Sequence, residues 1–158
     1  MAKNEPHALL LTGPPGIGKT TALLRAAALL SDLKIRGFTT GEIREAGERR
    51  VGFRLETFDG DSAVLAHVNV RSPHKVGKYG VDLAPLERVA ADQLSGRRGG
   101  VVLLDEIGKM ETLSKTFVEA VESLLESRAV LVATVGLRGG GFIATVKRRP
   151  DVLLWTLS

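Results

Sequence analysis

Leu9-Leu10-Leu11-Thr12-Gly13-Pro14-Pro15-Gly16-Ile17-Gly18-Lys19-Thr20-Thr21 decides how this chain folds. An apolar run, Ala8 to Leu11, leads into the Walker A pattern G-x-x-x-x-G-K-[ST], and an Ala- and Leu-rich stretch, Thr20 to Leu30, follows with helical character. That order predicts a buried strand, a glycine-rich turn and a helix. The turn's N–H groups and the positive end of the helix dipole then face a common point, which suits a polyphosphate. Gly13, Pro14, Pro15, Gly16, Ile17, Gly18, Lys19, Thr20 and Thr21 are the expected nucleotide-binding residues. Lys19 is expected to reach the β- and γ-phosphates, and the Thr20 hydroxyl to take a Mg²⁺ position.

A second stretch complements the first. Val101-Val102-Leu103-Leu104 is a continuous apolar run ending in Asp105-Glu106, the Walker B pattern. An uninterrupted run of this kind suits a strand buried on both faces, and an acid at its C-terminal end falls on the ligand edge of a parallel sheet. Asp105 is expected to hold Mg²⁺ opposite Thr20, and Glu106 to position or deprotonate an attacking water.

The rest of the chain is read around these two. Lys34 to Thr40 predicts a second core strand, and Ile43 to His67 alternates apolar and polar residues around two turn signals, so an antiparallel meander is expected there. Arg71 to Gly80 reads as a loop, either a flap over phosphates or a solvated connection. Asp82 and Pro85 mark a helix start, Gly96 its end, and Arg97 to Gly100 a turn. Glu111 to Arg128 predicts a long amphipathic helix, and Ala129 to Val135 a buried strand. Thr134 and Arg138 follow at its end, each open to a role at the γ-phosphate or to a structural one. A short helix, Phe142 to Arg149, and a last strand, Val152 to Leu157, complete a mainly parallel α/β sheet covered on both faces, with the meander appended.

Composition narrows the chemistry. The 158 residues fit one domain, 1–158, with 44% hydrophobic and 25% charged residues. The absence of cysteine excludes disulfides and thiolate chemistry, and His7, His67 and His74 show no metal-ligand spacing. The net charge of +4 suits nucleotides without indicating nucleic acid. Arg49-Arg50, Arg97-Arg98 and Lys147-Arg148-Arg149 read as solvated surface. The N-terminal residues carry no apolar signal region, so a cytoplasmic, monomeric protein with no membrane partner is expected.

These residues resemble the small THEP-type nucleoside-triphosphatases, known in animals as the cancer-related nucleoside-triphosphatase. The resemblance rests on Gly13 to Thr21, Gly37-Phe38-Thr39-Thr40-Gly41-Glu42-Ile43-Arg44, Val76-Gly77-Lys78-Tyr79-Gly80-Val81-Asp82 and Asp105-Glu106-Ile107-Gly108-Lys109-Met110-Glu111. It implies a three-layer P-loop NTPase fold with a RecA-like core and slow, Mg²⁺-dependent hydrolysis of ATP, GTP and other nucleoside triphosphates. It also implies places near the γ-phosphate for Glu42, Arg44 and Arg138, so that Lys19, Glu106, Arg44 and Arg138 form the expected catalytic set. Members usually continue past the final strand with an Asn-Arg pair and a short tail, whereas the sequence here runs to Trp155-Thr156-Leu157-Ser158. What that tail contributes, such as closure over the base, stays open. Two other readings are carried alongside. A small nucleotide or nucleoside kinase would use Glu106 to activate an acceptor hydroxyl and the meander as acceptor pocket. A nucleotide-dependent switch or RNA-associated module is disfavoured, since Asn4 and Asn69 lie outside any N-K-x-D base-reading motif.

Overall fold

The apolar runs do become the inner strands. The computed structural model describes residues 5–94 and 99–158. Its elements are β1 (Ala8–Thr12), α1 (Lys19–Leu29), β2 (Ile35–Arg44), β3 (Arg50–Thr57), β4 (Ser62–His67), β5 (Lys75–Val76), β6 (Tyr79–Val81), α2 (Leu83–Gln93), β7 (Val101–Ile107), α3 (Lys115–Glu126), β8 (Val130–Val135), α4 (Gly141–Lys147) and β9 (Val152–Thr156). Among the described residues the strands form one sheet in the order β5-β6-β4-β3-β2-β7-β8-β1-β9. β2, β7, β8, β1 and β9 are parallel to their neighbours, and β2 onward to β5 is antiparallel. The sheet is therefore a parallel core with an antiparallel wing, joined at β2.

Strand alternation distributes the core between two faces. Val102 and Leu104 pack with Phe38, Phe117, Val121 and Ile143 beneath α2, α3 and α4. Val101 and Leu103 point the other way, onto Leu23 of α1. Three layers result, with α1 alone on one side. The strand carrying the glycine loop, β1, is separated from the strand carrying the acids, β7, by β8 alone, so both motifs end at the same edge.

Several element boundaries differ from the sequence reading. Residues 71–80 are not a plain loop: β5 and most of β6 form a hairpin here, whose second strand pairs with β4. Tyr79 explains why this hairpin holds. It is buried, its hydroxyl accepts from Arg50 Nε at 3.0 Å, and its ring meets Phe53 edge-on at 5.2 Å. The helix expected from Glu111 is also divided. Glu111–Leu113 form one 3₁₀ turn, and α3 begins only after Ser114, whose Oγ accepts from Phe117 N as an N-cap. The expected helix end at Gly96 and the first half of the turn at 97–100 lie outside the described residues. No helix among the described residues is long and apolar enough to cross a membrane.

Candidate active site

The loop between β1 and α1 needs backbone conformations that side chains resist. Gly16 and Gly18 have φ of 78° and 110°, values that glycine adopts without steric cost. Gly18 is the N-cap of α1, with no side-chain cap and no acid in the first turn. The first amides of an 11-residue helix are thereby left to an anion rather than to a capping side chain. Lys19 is the first helical residue, and its Nζ donates to Gly13 O at 2.9 Å across the loop while standing 3.8 Å from Glu106 Oε2.

The acids converge from β7. Asp105 is buried, accepting from Thr20 Oγ1 at 2.9 Å and from Thr134 Oγ1 at 2.7 Å. Thr134, at the end of β8, is thus a brace that fixes the Asp105 carboxylate. Among the described residues Asp105 has hydroxyl donors and no cationic side-chain partner. A buried carboxylate beside a threonine hydroxyl is a hard oxygen pair, the donor chemistry Mg²⁺ takes when phosphates and water complete its shell. Thr20 and Asp105 therefore fit that ion.

Glu106 is half-buried, and its carboxyl pKa is raised, chiefly by burial and further by Asp105, against an opposing pull from Lys19. Glu111 lies behind it. The 3₁₀ turn buries Glu111, which is 4% exposed, and its carboxyl pKa is pushed up to about 8, first by burial and then by the charges of Glu106 and Asp105, while the backbone N–H groups of Glu111 and Gly108 oppose the shift. Gly108 is what allows the approach. A Cβ there would stand 2.8 Å from Glu106 Oε1 and 3.0 Å from Glu111 Oε1.

The two arginines of the expected set part company. Arg138, in the loop after β8, lines the cavity over Glu106 and makes no hydrogen bond or ion pair among the described residues. Arg44, at the far end of β2, is exposed and tied to Glu42 Oε2 and, at 2.6 Å, to Glu48 O, away from the cavity lining. Glu42 is held there by Arg44 and Arg50, whose hydrogen bonds lower its pKa. Lys147 was read as surface, yet its Nζ donates to Leu137 O at 2.9 Å, and burial and then the charge of Lys19 lower its pKa. Arg149 is likewise paired, with Asp151 and Glu126. His7 hydrogen-bonds Ala129 O and Asp151, a packing role.

The cavity encloses about 580 Å³. Its lining joins the charged groups of Lys19, Glu106, Glu111 and Arg138 to an apolar wall of Phe53, Leu65, Val76 and Met110. Sequence reasoning gave Glu111 no role and touched this wall only through the kinase reading, which puts an acceptor pocket in the meander that holds Phe53 and Leu65. Glu111 stood in the distinctive 105–111 run, but no spacing rule turns an acid six positions after Asp105 back toward it.

A phosphate-cradling loop after one strand of a parallel sheet, with an acid pair at the end of a strand one removed from it, defines the P-loop NTPase class. The comparisons agree with that geometry: a family profile described as NTPase matches residues 8–158. The chain is 40% identical over 152 residues to "Nucleoside-triphosphatase THEP1" of Thermotoga maritima, covering 95% of this chain and 86% of that protein. It is 35% identical to the human "Cancer-related nucleoside-triphosphatase", covering 95% and 87%. The crystal structure of THEP1 from the hyperthermophile Aquifex aeolicus superposes with a TM-score of 0.84 at 31% identity, covering 96% of this chain and 90% of that one. The chain belongs to this NTPase family.

Proposed function

We propose that the protein hydrolyses the γ-phosphate of nucleoside triphosphates in a Mg²⁺-dependent reaction with relaxed base preference, acting as a monomer. The observation that carries this reading is the convergence of Lys19, Glu106 and the Thr20–Asp105 pair at one end of the loop, and the names of the relatives support it. The loop amides and Lys19 hold the β- and γ-phosphates. Thr20 and Asp105 would hold Mg²⁺, which supplies charge neutralisation at the phosphate oxygens. Glu106, with a pKa moved toward neutrality, orients the water and accepts its proton as the oxygen attacks phosphorus. Arg138, which lines the same cavity and has no ion pair among the described residues, meets the charge that develops on the transferring group. All of these groups come from one chain, and no N-K-x-D segment is present to select guanine.

Phosphate release from ATP, GTP, CTP and UTP, with Mg²⁺ and with chelator, tests this directly. Glu106→Gln should lower kcat by about 10²-fold or more while leaving KM near that of wild type. A variant as fast as wild type removes Glu106 from the catalytic role.

A further inference from the structure

The cavity's volume of about 580 Å³ lies in the range that takes small organic ligands. Its place on the loop is more telling. Gly13, Pro14, Pro15 and Lys19 line it, whereas Gly16, Gly18, Thr20 and Thr21 do not. The amides at the helix end of such a loop take the α- and β-phosphates, and the lysine reaches β and γ. The cavity therefore opens on the γ side, and a nucleoside attached through the α-phosphate leaves the loop at its other end. The same cavity is an apolar chamber where Phe53, Leu65, Val76 and Met110 line it. Three of these four come from the antiparallel wing, which contributes nothing to the phosphate cradle.

We propose that this chamber is an acceptor site, which seats the apolar body of a small neutral alcohol and presents its hydroxyl to the γ-phosphate, so that phosphoryl transfer to that alcohol competes with hydrolysis. The inference rests on the reading that the loop holds a triphosphate with its γ-phosphate toward Lys19 and Glu106. Glu106 and Glu111 line the same cavity, together with Lys19, Lys109 and Arg138. The apolar side chains suit the body of a neutral molecule, and a hydroxyl can donate to the Glu106 carboxylate. In the step, the alcohol oxygen bonds to the γ-phosphorus as its proton passes to the Glu106 carboxylate. The bond from phosphorus to the β–γ bridging oxygen breaks, and its electron pair leaves on the nucleoside diphosphate. The products are a phosphate monoester and the diphosphate.

The full-length chain is incubated with Mg²⁺ and γ-labelled ATP in matched concentrations of benzyl alcohol or glycerol, and monoester is measured against inorganic phosphate. Burial of the aromatic ring should raise the ester-to-phosphate ratio with benzyl alcohol about tenfold or more over glycerol, per hydroxyl. Val76→Trp, which fills the chamber from its half-buried rim, should return that ratio to the glycerol level. Because the ratio compares two fates of the same phosphoryl group, it is independent of how much variant folds. Equal ratios for the two alcohols, or a ratio indifferent to Val76→Trp, would overturn the acceptor site. So would a Val76→Trp variant whose KM rises for ATP but not for inorganic tripolyphosphate, since the chamber would then take the base. Ester formation without any phosphate release in alcohol-free buffer would sustain the acceptor site while refuting the hydrolase reading.

Discussion

The parallel core and the antiparallel wing meet at β2 and do opposite things with similar strands. In the core, β7 and β8 are buried on both faces, and their polar residues are confined to the ends, where Asp105, Glu106 and Thr134 emerge at the mouth of the loop. In the wing, β3 and β4 alternate, and the inward side chains Phe53 and Leu65 reach the cavity as an apolar wall. The core thus concentrates charge at one edge, and the wing shields it from water on one side. Low dielectric strengthens every charge in that space, which is why Glu106 and Glu111 both hold their protons more tightly than free carboxyls do.

The sharpest way to break this division is through the two arginines. If the core loop after β8 supplies the transition-state charge, Arg138→Ala should cost about 10³-fold in kcat, and Arg44→Ala, whose partners lie on its own hairpin, no more than a few-fold. Steady-state kinetics with Mg-ATP decides it, and a reversed order would transfer the catalytic cation to the β2 end.

Glu111 gives the next largest effect, read in stability. Its folded pKa of about 8 lies above the model-compound value of 4.5, so between those values the folded chain keeps a proton that the unfolded chain has lost. Stability is then full below about pH 4.5 and falls as pH rises toward 8, by several kcal/mol at most, at about 1.4 kcal/mol per pH unit. Denaturant unfolding near pH 5 and near pH 9 should show that loss in wild type and much less of it in Glu111→Gln. Equal slopes in the two proteins would mean the Glu111 carboxyl is not held neutral.

The smallest effect belongs to the wing. Tyr79→Phe removes the hydroxyl that Arg50 bonds and should destabilise the protein by about 1 kcal/mol, seen as a lower midpoint in denaturant. Its kcat should stay within a factor of two or three, since Tyr79 touches neither Lys19 nor the acids.

How much of this was legible beforehand follows from the range of the interactions involved. The loop, the order of strands and helices in the core and the pair Asp105–Glu106 could be read because each depends on a short run: glycines at fixed offsets, four apolar residues before an acid, a strand followed by a helix. The meander was legible too, from its period of two. The hairpin within 71–80 was not, because its glycines and lysines signal a turn, while the grip of Arg50 on Tyr79 that makes it a strand pair spans 29 positions. The family resemblance places Arg44 and Arg138 alike near the γ-phosphate, and only the structure, with the ion pair of Arg44 to Glu42 and the cavity lined by Arg138, separates them.

The sequence by itself determined that a phosphate-binding loop and an acidic strand end would share one edge of a parallel sheet, since local pattern fixes which backbone groups are free and where buried strands stop. The tertiary structure alone decided which carboxyls hold their protons more tightly, which arginine lines the cavity and how large that cavity is. Those properties depend on burial and on side chains brought together from distant positions, as when Gly108 lets Glu106 and Glu111 close in from the two ends of one short turn.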